Sequence, residues 1–338
     1  ITAGGAVTDL GDVDIDGTLT VSAASQTVNL DGSGNDITGG VTLTGAAVTL
    51  EDSTATAIAG ITATGALSVT SGGAITQSGA IDADLTASFT AGANAITLTN
   101  TSNDFSGAVS LSNSGSNDVS LTDANALDLG TVGVGQNLAI TASGAITDSG
   151  VVTVAGTTTF DNSGGSDAAI DLGSSSTYTG NVSFTTDAGS DVTITDNSAF
   201  AIQSGLNVNN LSITSTGSVT DLGDLDIDGT LTVSAAGQTV DLSGGGSNDI
   251  TGGVTLTGAA VTLGDSSATV IAGITATGAL SVTSGGAISQ SGAIDADSTA
   301  SFAAGANAIT LTNASNDFSG AVSLSNSGSN DVSLTDAN

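Results

Sequence analysis

Short alternations of apolar and hydroxyl residues recur along the chain, separated by clusters of Gly, Asn, Asp and Ser. Successive side chains of a strand point to opposite faces, so each alternation predicts a strand with one buried face. The clearest triplets are LTV (19–21), VTL (41–43), LSV (67–69), ASF (87–89), VSL (109–111), LAI (138–140), TTF (158–160), VSF (182–184), LSI (211–213) and LTV (231–233). They begin 20 to 29 residues apart. A period of this length indicates a solenoid, a propeller or an array.

Each period also contains a second alternation, for example VTL (48–50), and a weaker third one, for example AIDA (80–83). The clusters between them, such as SGSND (114–118), consist of residues that favour turns. Three strands and three turns per period predict an all-β fold. We expect a right-handed parallel β-helix, or β-solenoid, with three short strands per coil of about 20–29 residues and about 14–15 coils.

Stacked coils should bring the apolar residues of successive triplets into the same inward positions. The predicted stack consists of Leu19/Val21, Val41/Leu43, Leu67/Val69, Ala87/Phe89 and Val109/Leu111, and it is widened by Phe89, Phe160 and Phe184. Ser and Thr should face outward, where β-branched and hydroxyl residues suit a pleated surface. The absence of Pro agrees with strands that have hydrogen-bonded neighbours on both sides.

A much longer repeat is also present, because residues 5–125 reappear as residues 217–338. The segment at 61–75 returns unchanged at 274–288, and the segment at 102–125 returns unchanged at 315–338. We therefore expect residues 1–338 to form a single continuous β-solenoid with a long repeat of about 212 residues. Residues 5–216 are the first copy and residues 217–338 are a partial second copy, so both ends of the sequence look arbitrary.

Two other folds fit the pattern less well. A string of immunoglobulin-like sandwiches needs about 100 residues per domain and a large core aromatic, whereas this chain has 7 Phe, 1 Tyr and no Trp. A left-handed hexapeptide solenoid would require a strict short period that the spacing of the triplets lacks.

Composition excludes several functions. The chain has 33 Asp and Glu, a net charge of −33, and no Lys, Arg, His, Cys, Pro, Met or Trp. It therefore lacks an imidazole base, a thiolate and an amine nucleophile, and it should repel nucleic acid and anionic membranes. A glycosidase-type carboxylate pair would need two Asp, since Glu51 is the only Glu and Gly264 replaces it in the second copy. We expect no enzyme activity, no required cofactor, no nucleic-acid partner and no membrane insertion.

One acidic motif is a candidate metal site, and it occurs in both copies of the long repeat. Its residues are Asp12, Asp14 and Asp16 in the first copy, and Asp224, Asp226 and Asp228 in the second. The pattern D-x-D-x-D-G matches the first half of an EF-hand loop, but Ala occupies the twelfth position, where Glu is needed. One interpretation is a strand with Val13 and Ile15 inward and the carboxylates outward. The other is a surface site for calcium or a similar cation, which would relieve the repulsion between carboxylates.

The segments GALSVTSGGAITQSG (65–79) and NLAITASGAITDSG (137–150) carry a family resemblance. Their repeated pattern is similar to the repeat region of filamentous-haemagglutinin-like exoproteins, bacterial surface proteins of two-partner secretion, and to autotransporter passengers. The resemblance covers most of the chain. It implies a right-handed parallel β-helix, an extracellular location and adhesive or fibre-forming work. The lack of Lys and Arg departs from many such proteins and argues against polyanion binding.

Together these features predict a structural protein. We expect a stiff acidic rod or spacer within a giant repetitive adhesin, part of a secreted bacterial surface fibre or extracellular filament. Its partners would be copies of itself along or between fibres, and a host or neighbouring cell surface. The alternative is a binding module that contacts glycans, sister fibres or ice through Ser/Thr/Asp faces, since Thr-Leu-Thr triplets such as 42–44 and 97–99 resemble ice-binding ladders.

Overall fold

A computed structural model describes residues 1–165 and 167–337. These residues form strands and turns with no helix, and every strand pair assigned in them is parallel. In the described part of the chain, no helix is long and apolar enough to cross a membrane. The predicted all-β parallel β-solenoid is confirmed, with three strands per coil and about 16 turns.

The described residues belong to two compact units. Unit 1 consists of residues 1–165 and 176–180, and unit 2 of residues 167–175 and 181–337. The strands that begin in unit 1 before residue 165 are β1 Val7–Thr8, β2 Asp14–Ile15, β3 Leu19–Ser22, β4 Val28–Leu30, β5 Asp36–Ile37, β6 Gly40–Gly45, β7 Val48–Asp52, β8 Thr56–Ala63, β9 Leu67–Ser71, β10 Ile75–Gln77, β11 Ile81–Ala83, β12 Ala87–Thr90, β13 Ile96–Leu98, β14 Asp104–Phe105, β15 Val109–Ser112, β16 Val119–Asp123, β17 Leu127–Val134, β18 Leu138–Ala142, β19 Ile146–Asp148, β20 Val152–Val154 and β21 Thr158–Asp161.

The remaining strands follow in chain order. They are β22 Ile170–Tyr178, β23 Val182–Thr185, β24 Val192–Asp196, β25 Phe200–Ile202, β26 Leu206–Val208, β27 Leu211–Ser215, β28 Val219–Asp221, β29 Leu225–Ile227, β30 Leu231–Ser234, β31 Val240–Leu242, β32 Asp249–Ile250, β33 Gly253–Gly258, β34 Val261–Asp265, β35 Thr269–Ala276, β36 Leu280–Ser284, β37 Ile288–Gln290, β38 Ile294–Ala296, β39 Ala300–Ala303, β40 Ile309–Leu311, β41 Asp317–Phe318, β42 Val322–Ser325 and β43 Val332–Leu334.

In unit 1, most strands lie in three stacks in which strands of neighbouring coils pair, while β2 pairs with β5 and β19 pairs with β17. The first stack is β1-β4-β7-β9-β12-β15-β17-β20. The second is β8-β10-β13-β16-β18-β21, and the third is β3-β6-β8-β11-β14. Strand β8 belongs to two stacks because its eight residues cross two faces without a turn.

Unit 2 has the same organisation. Its stacks are β25-β28-β31-β34-β36-β39-β42, β24-β27-β30-β33-β35-β38-β41, β35-β37-β40-β43 and the shorter β26-β29-β32. Strand β35 is the counterpart of β8, since it also crosses two faces.

The predicted stacking order is partly wrong. Leu19 pairs with Val41 as predicted, but Val41 then pairs with Ile58, while Leu67 pairs with Val48 and Ala87. The reason is the turnless strand β8, which the alternation pattern presents as one strand although it fills two positions. Going from the triplet at 41 in β6 to the triplet at 67 in β9, the chain therefore advances by four strand positions, whereas one full coil has three.

The same four-position step follows the triplet at 109, where β17 crosses two faces. Each such step moves the triplet to the next face of the coil. Stacked residues are consequently 17 to 24 positions apart, closer than the triplet spacing of 20–29. This shorter coil explains why there are about 16 turns and not the predicted 14–15.

The core of each unit consists of branched aliphatic side chains aligned from coil to coil. Val28, Val48 and Ile96, for example, are completely buried. Aromatic pairs add to the cores, with edge-to-face rings 6.0–6.1 Å apart: Phe89–Phe105 and Phe160–Tyr178 in unit 1, and Phe302–Phe318 in unit 2. The prediction that Phe89 and Phe160 enlarge the core is confirmed.

Candidate functional site

The six aspartates of the candidate metal site lie on the outer surface. Asp12, Asp14 and Asp16 are exposed, while Val13 and Ile15 between them point inward and are half-buried. In the second copy Asp224, Asp226 and Asp228 are exposed, and the intervening Leu225 and Ile227 are buried. The local structure is thus a strand with its carboxylates outward, as the first interpretation of the sequence predicts.

Stacking brings carboxylates of neighbouring coils together in pairs. Asp14 is in register with Asp36, and Asp226 with Asp249, at the spacing of about 4.8 Å between parallel strands. Asn207 lies on the other side of Asp226, and its side-chain amide donates to Asp226 Oδ2 at 2.9 Å. Among residues 1–165 and 167–337, no group of three acidic side chains is placed to hold a metal ion. The calcium site stays a prediction.

A further pair shows the electrostatic consequence of this stacking. Asp82 is in register with Asp104 in unit 1. Loss of hydration at the strand face, and then repulsion from the Asp84 and Asp104 carboxylates, raise the pKa of Asp82.

The most regular polar feature lies inside the coil and was missed by the sequence analysis. Four strands, β7, β16, β24 and β34, each end in an aspartate that is almost completely buried. These buried aspartates are Asp52, Asp123, Asp196 and Asp265. A buried carboxylate needs hydrogen-bond donors to replace water. The donors around each aspartate therefore determine how much free energy its burial costs.

The donors around Asp52 and Asp265 are nearly the same. Asp52 Oδ1 accepts from the backbone N–H groups of Ile37 and Thr54 at 3.4 and 3.1 Å, and Oδ2 accepts from Thr56 Oγ1 at 3.2 Å. Asp265 Oδ2 accepts from Thr269 Oγ1 at 2.9 Å. A threonine hydroxyl four residues after the aspartate thus satisfies the second oxygen in both cases.

Asp123 has the same position but a poorer set of donors. Its Oδ1 accepts from the backbone N–H groups of Phe105 and Asn125, both at 3.4 Å. Leu127 stands where Thr56 and Thr269 stand, and the buried Asp123 Oδ2 has no hydrogen-bond partner. Burial, with a smaller contribution from Asp104, outweighs the backbone donors and raises the pKa of Asp123 to about 6.

Buried amides accompany these aspartates. Asn103 and Gln77 exchange two hydrogen bonds of 2.8 and 2.9 Å through their side chains, and Asn316 and Gln290 do the same in unit 2. Asn103 and Asn316, each of which precedes an aspartate in the sequence, therefore fasten one coil to the next.

At two other places an aspartate takes the place of this glutamine. Asn35 donates to Asp9 at 2.8 Å, and Asn248 donates to Asp221 at 2.7 Å. Partial burial acts to raise the pKa of Asp9, but hydrogen bonds from Asn35 and Gly32 hold it below its ordinary value. At Asp221 burial prevails over the donors Asn248 and Gly244, so its pKa is raised.

The threonine triplets form only short ladders. Thr20 is in register with Thr42, but Thr42 is in register with Gly60 on the following coil. Thr97 lies between Thr76 and Ser120. These rows are broken after two threonines, which is typical of ordinary strand composition.

These features define a β-solenoid repeat protein. The family of repeats of unknown function (DUF5649) matches the chain five times, at residues 1–44, 45–112, 116–186, 189–257 and 258–325. The chain belongs to this family of repeats. No curated protein and no solved structure matches it.

The family repeat gives the buried aspartates a common place. Asp52, Asp123, Asp196 and Asp265 are each the eighth residue of a matched segment. This repeat is intermediate in length between the coil and the 212-residue repeat, which contains three of it, and it was not predicted from the sequence. The recurring pattern V-x-[L/I]-x-D was the signal that could have revealed it.

Proposed function

We propose that the chain is a structural component of a secreted bacterial surface fibre or extracellular filament. It acts there as a stiff, acidic spacer within a giant repetitive adhesin. The observation that carries the proposal is the repetition of one plan in both units: parallel stacks, an aliphatic core, and buried Asn and Asp side chains that fasten each coil to its neighbour. Repetition of this kind supplies length and rigidity.

The surface chemistry supports an extracellular structural role. No Lys or Arg offsets the carboxylates that lie outside the core, so the surface charge is negative, which favours solubility at high concentration. Trypsin cleaves after Lys and Arg, so the chain offers it no site. The partners in this proposal are copies of the chain along or between fibres and the surface of a host or neighbouring cell, and the proposal includes no enzymatic step.

Electron microscopy of native material tests the proposal. Antibodies against the 338-residue chain, with gold labels, should decorate continuous filaments outside the cell. Diffraction from aligned filaments should show an axial spacing of about 4.8 Å from stacked strands. Labelling confined to the cell interior, or to compact extracellular particles, would contradict a fibre role.

A further inference from the structure

Four asparagines of the chain stand in the pattern Asn-x-Ser, the acceptor pattern for attachment of a sugar to an asparagine side chain. They are Asn100, Asn181, Asn210 and Asn313. Attachment requires that the pattern lies in a surface loop and that the amide nitrogen of the asparagine is free to react. These two requirements separate the four asparagines.

Asn181 and Asn210 lead directly into strands. Residues 182 and 183 belong to β23, and residues 211 and 212 belong to β27. The Asn210 amide nitrogen also donates to Asp191 Oδ1 at 2.8 Å. The Ser of each pattern is therefore fixed within a strand, and neither place presents the loop that a transferase needs.

Asn100 lies in a surface turn between β13 and β14. The backbone N–H of Asn103 closes the turn by donating to the Asn100 carbonyl oxygen at 3.1 Å, and Thr101 and Ser102 are exposed at its tip. The Ser102 backbone N–H donates to Asn100 Oδ1 at 2.9 Å and orients the side-chain amide. Among the residues that the structure describes, none accepts a hydrogen bond from Asn100 Nδ2, and this nitrogen is not buried.

Asn313 has the same setting in the turn between β40 and β41. The backbone N–H of Asn316 donates to the Asn313 carbonyl oxygen at 3.2 Å, and that of Ser315 donates to Asn313 Oδ1 at 2.9 Å. Asn313 Nδ2 likewise donates to no residue in the described part of the chain. The two turns differ only in Thr101 and Ala314, at the position where the pattern accepts any residue except Pro.

Formation of this turn does not require the acceptor pattern. The corresponding turn of the 1–44 repeat has Gly32 and Gly34 at the positions of the Asn and the Ser. Asn35 nevertheless closes it by donating its backbone N–H to the Gly32 carbonyl oxygen at 3.0 Å. The turn alone therefore does not explain why Asn and Ser stand together in the other two turns.

We propose that Asn100 and Asn313 are sites of asparagine-linked glycosylation. The co-reactant is a sugar activated as a diphosphate ester, and a transferase of the cell catalyses the step. A bond forms between the asparagine Nδ2 and the anomeric carbon of the sugar, the diphosphate leaves with the electron pair of its bond to that carbon, and the proton lost from Nδ2 passes to water. This modification goes beyond the proposed spacer function and does not depend on it.

Mass spectrometry of the protein isolated from the cells that produce it tests the sites. Asp-N protease cuts before Asp, so it suits a chain without Lys and Arg, and from the unfolded chain it releases peptides 84–103 and 297–316. Both peptides should carry the mass of one or more sugars, which electron-transfer fragmentation should place on Asn100 and Asn313. Two unmodified peptides, or sugars on Ser or Thr instead, would overturn the proposal.

The peptide 196–220 from the same digest contains Asn210 and is the control for the structural requirements. It should carry no sugar, because the Asn210 amide nitrogen is hydrogen-bonded and its Ser lies in a strand. A sugar on Asn210 would show that these requirements do not select the sites, and it would overturn the inference.

Matched variants produced in the same cells test the pattern itself. Ser102→Ala removes an exposed hydroxyl and should abolish the modification of Asn100, while Asn313 in the same chain stays modified as the internal control. Ser102→Thr keeps the pattern and should keep the sugar. A sugar retained on Asn100 in Ser102→Ala, or lost in Ser102→Thr, would contradict recognition through the Asn-x-Ser pattern and overturn the proposal.

Discussion

Asp123 provides the sharpest test of how the coil interior is built. Asp123→Asn removes a buried negative charge whose Oδ2 lacks a hydrogen-bond donor. Keeping this buried carboxylate ionised destabilises the folded protein, so we expect the variant to be more stable than the wild type at pH 7. This is the opposite of the usual result of replacing a buried polar residue.

The magnitude follows from the raised pKa. Between 3.8 and about 6 the native state holds a proton that the unfolded chain has released, so this carboxyl contributes less stability as pH rises through that range. The contribution is fully present below pH 3.8 and is lost above about 6. One pKa unit corresponds to about 1.4 kcal/mol, so the loss amounts to about 1–3 kcal/mol after some screening by solvent.

The assay compares thermal unfolding of wild type and Asp123→Asn, followed by circular dichroism, at several values between pH 4 and pH 7. The comparison of two proteins cancels the titration of the other carboxylates. The difference in the free energy of unfolding should favour the variant progressively as pH rises, and it should level off above about pH 6.

Asp52→Asn is the matched control, since Asp52 occupies the same position with donors to both oxygens. There the substitution removes charge-assisted hydrogen bonds, and we expect a loss of about 1–3 kcal/mol at pH 7. If Asp123→Asn destabilises the protein as much as Asp52→Asn does, or if its effect is independent of pH, the explanation based on the missing threonine hydroxyl is wrong.

Three further predictions concern the hydrogen-bond donor that Asp123 lacks, the close approach of neighbouring coils and the surface charge. Leu127→Thr places a hydroxyl where Thr56 and Thr269 have theirs, so carbon-detected NMR titration should show the pKa of Asp123 falling from about 6 toward its ordinary value; an unchanged midpoint would contradict this. Gly79→Ala puts a methyl group against the Ala59 carbonyl oxygen of the preceding coil and should lower the melting temperature, whereas Gly17→Ala, with open space around it, should not; equal effects would contradict the close approach. Added NaCl or CaCl2 should raise the melting temperature by screening the 33 carboxylates, and a melting temperature independent of salt would refute this electrostatic argument.

The fold could be predicted because its main determinant is local. Alternating residues such as Leu19–Val21 fix the strand and its buried face, and the repeated spacing fixes the parallel stacking. The stacking order could not be predicted, because β8 crosses two faces with only Gly60 at the change and no cluster of turn residues there. Thr56–Ala63 reads as one strand although it occupies two positions of the coil.

The sites were harder to predict than the fold. An aspartate followed by Ser or Thr, as at Asp52, has the composition of an exposed turn, and only the stacked coils show that the carboxylate points inward. Phe184 follows the same pattern as Phe89, yet Phe89 is completely buried and Phe184 is only half-buried, so the prediction that Phe184 lies fully within the core stack is wrong. Interactions between coils depend on register, which a linear pattern specifies only approximately.

The turnless strands have a consequence for how such a gene can grow. From β7 to β15, one family repeat fills ten strand positions, because β8 counts twice, and each coil has three positions. Ten is one more than a multiple of three, so corresponding residues of successive repeats lie one stack apart. In unit 1, Asp52 lies in the first stack and Asp123 in the second. Duplicating a single repeat would preserve every ladder but turn all later surface groups by a third of a revolution, whereas duplicating three repeats together would return them to their original direction. A gene that grows three repeats at a time would therefore lengthen such a coil without rotating what it displays.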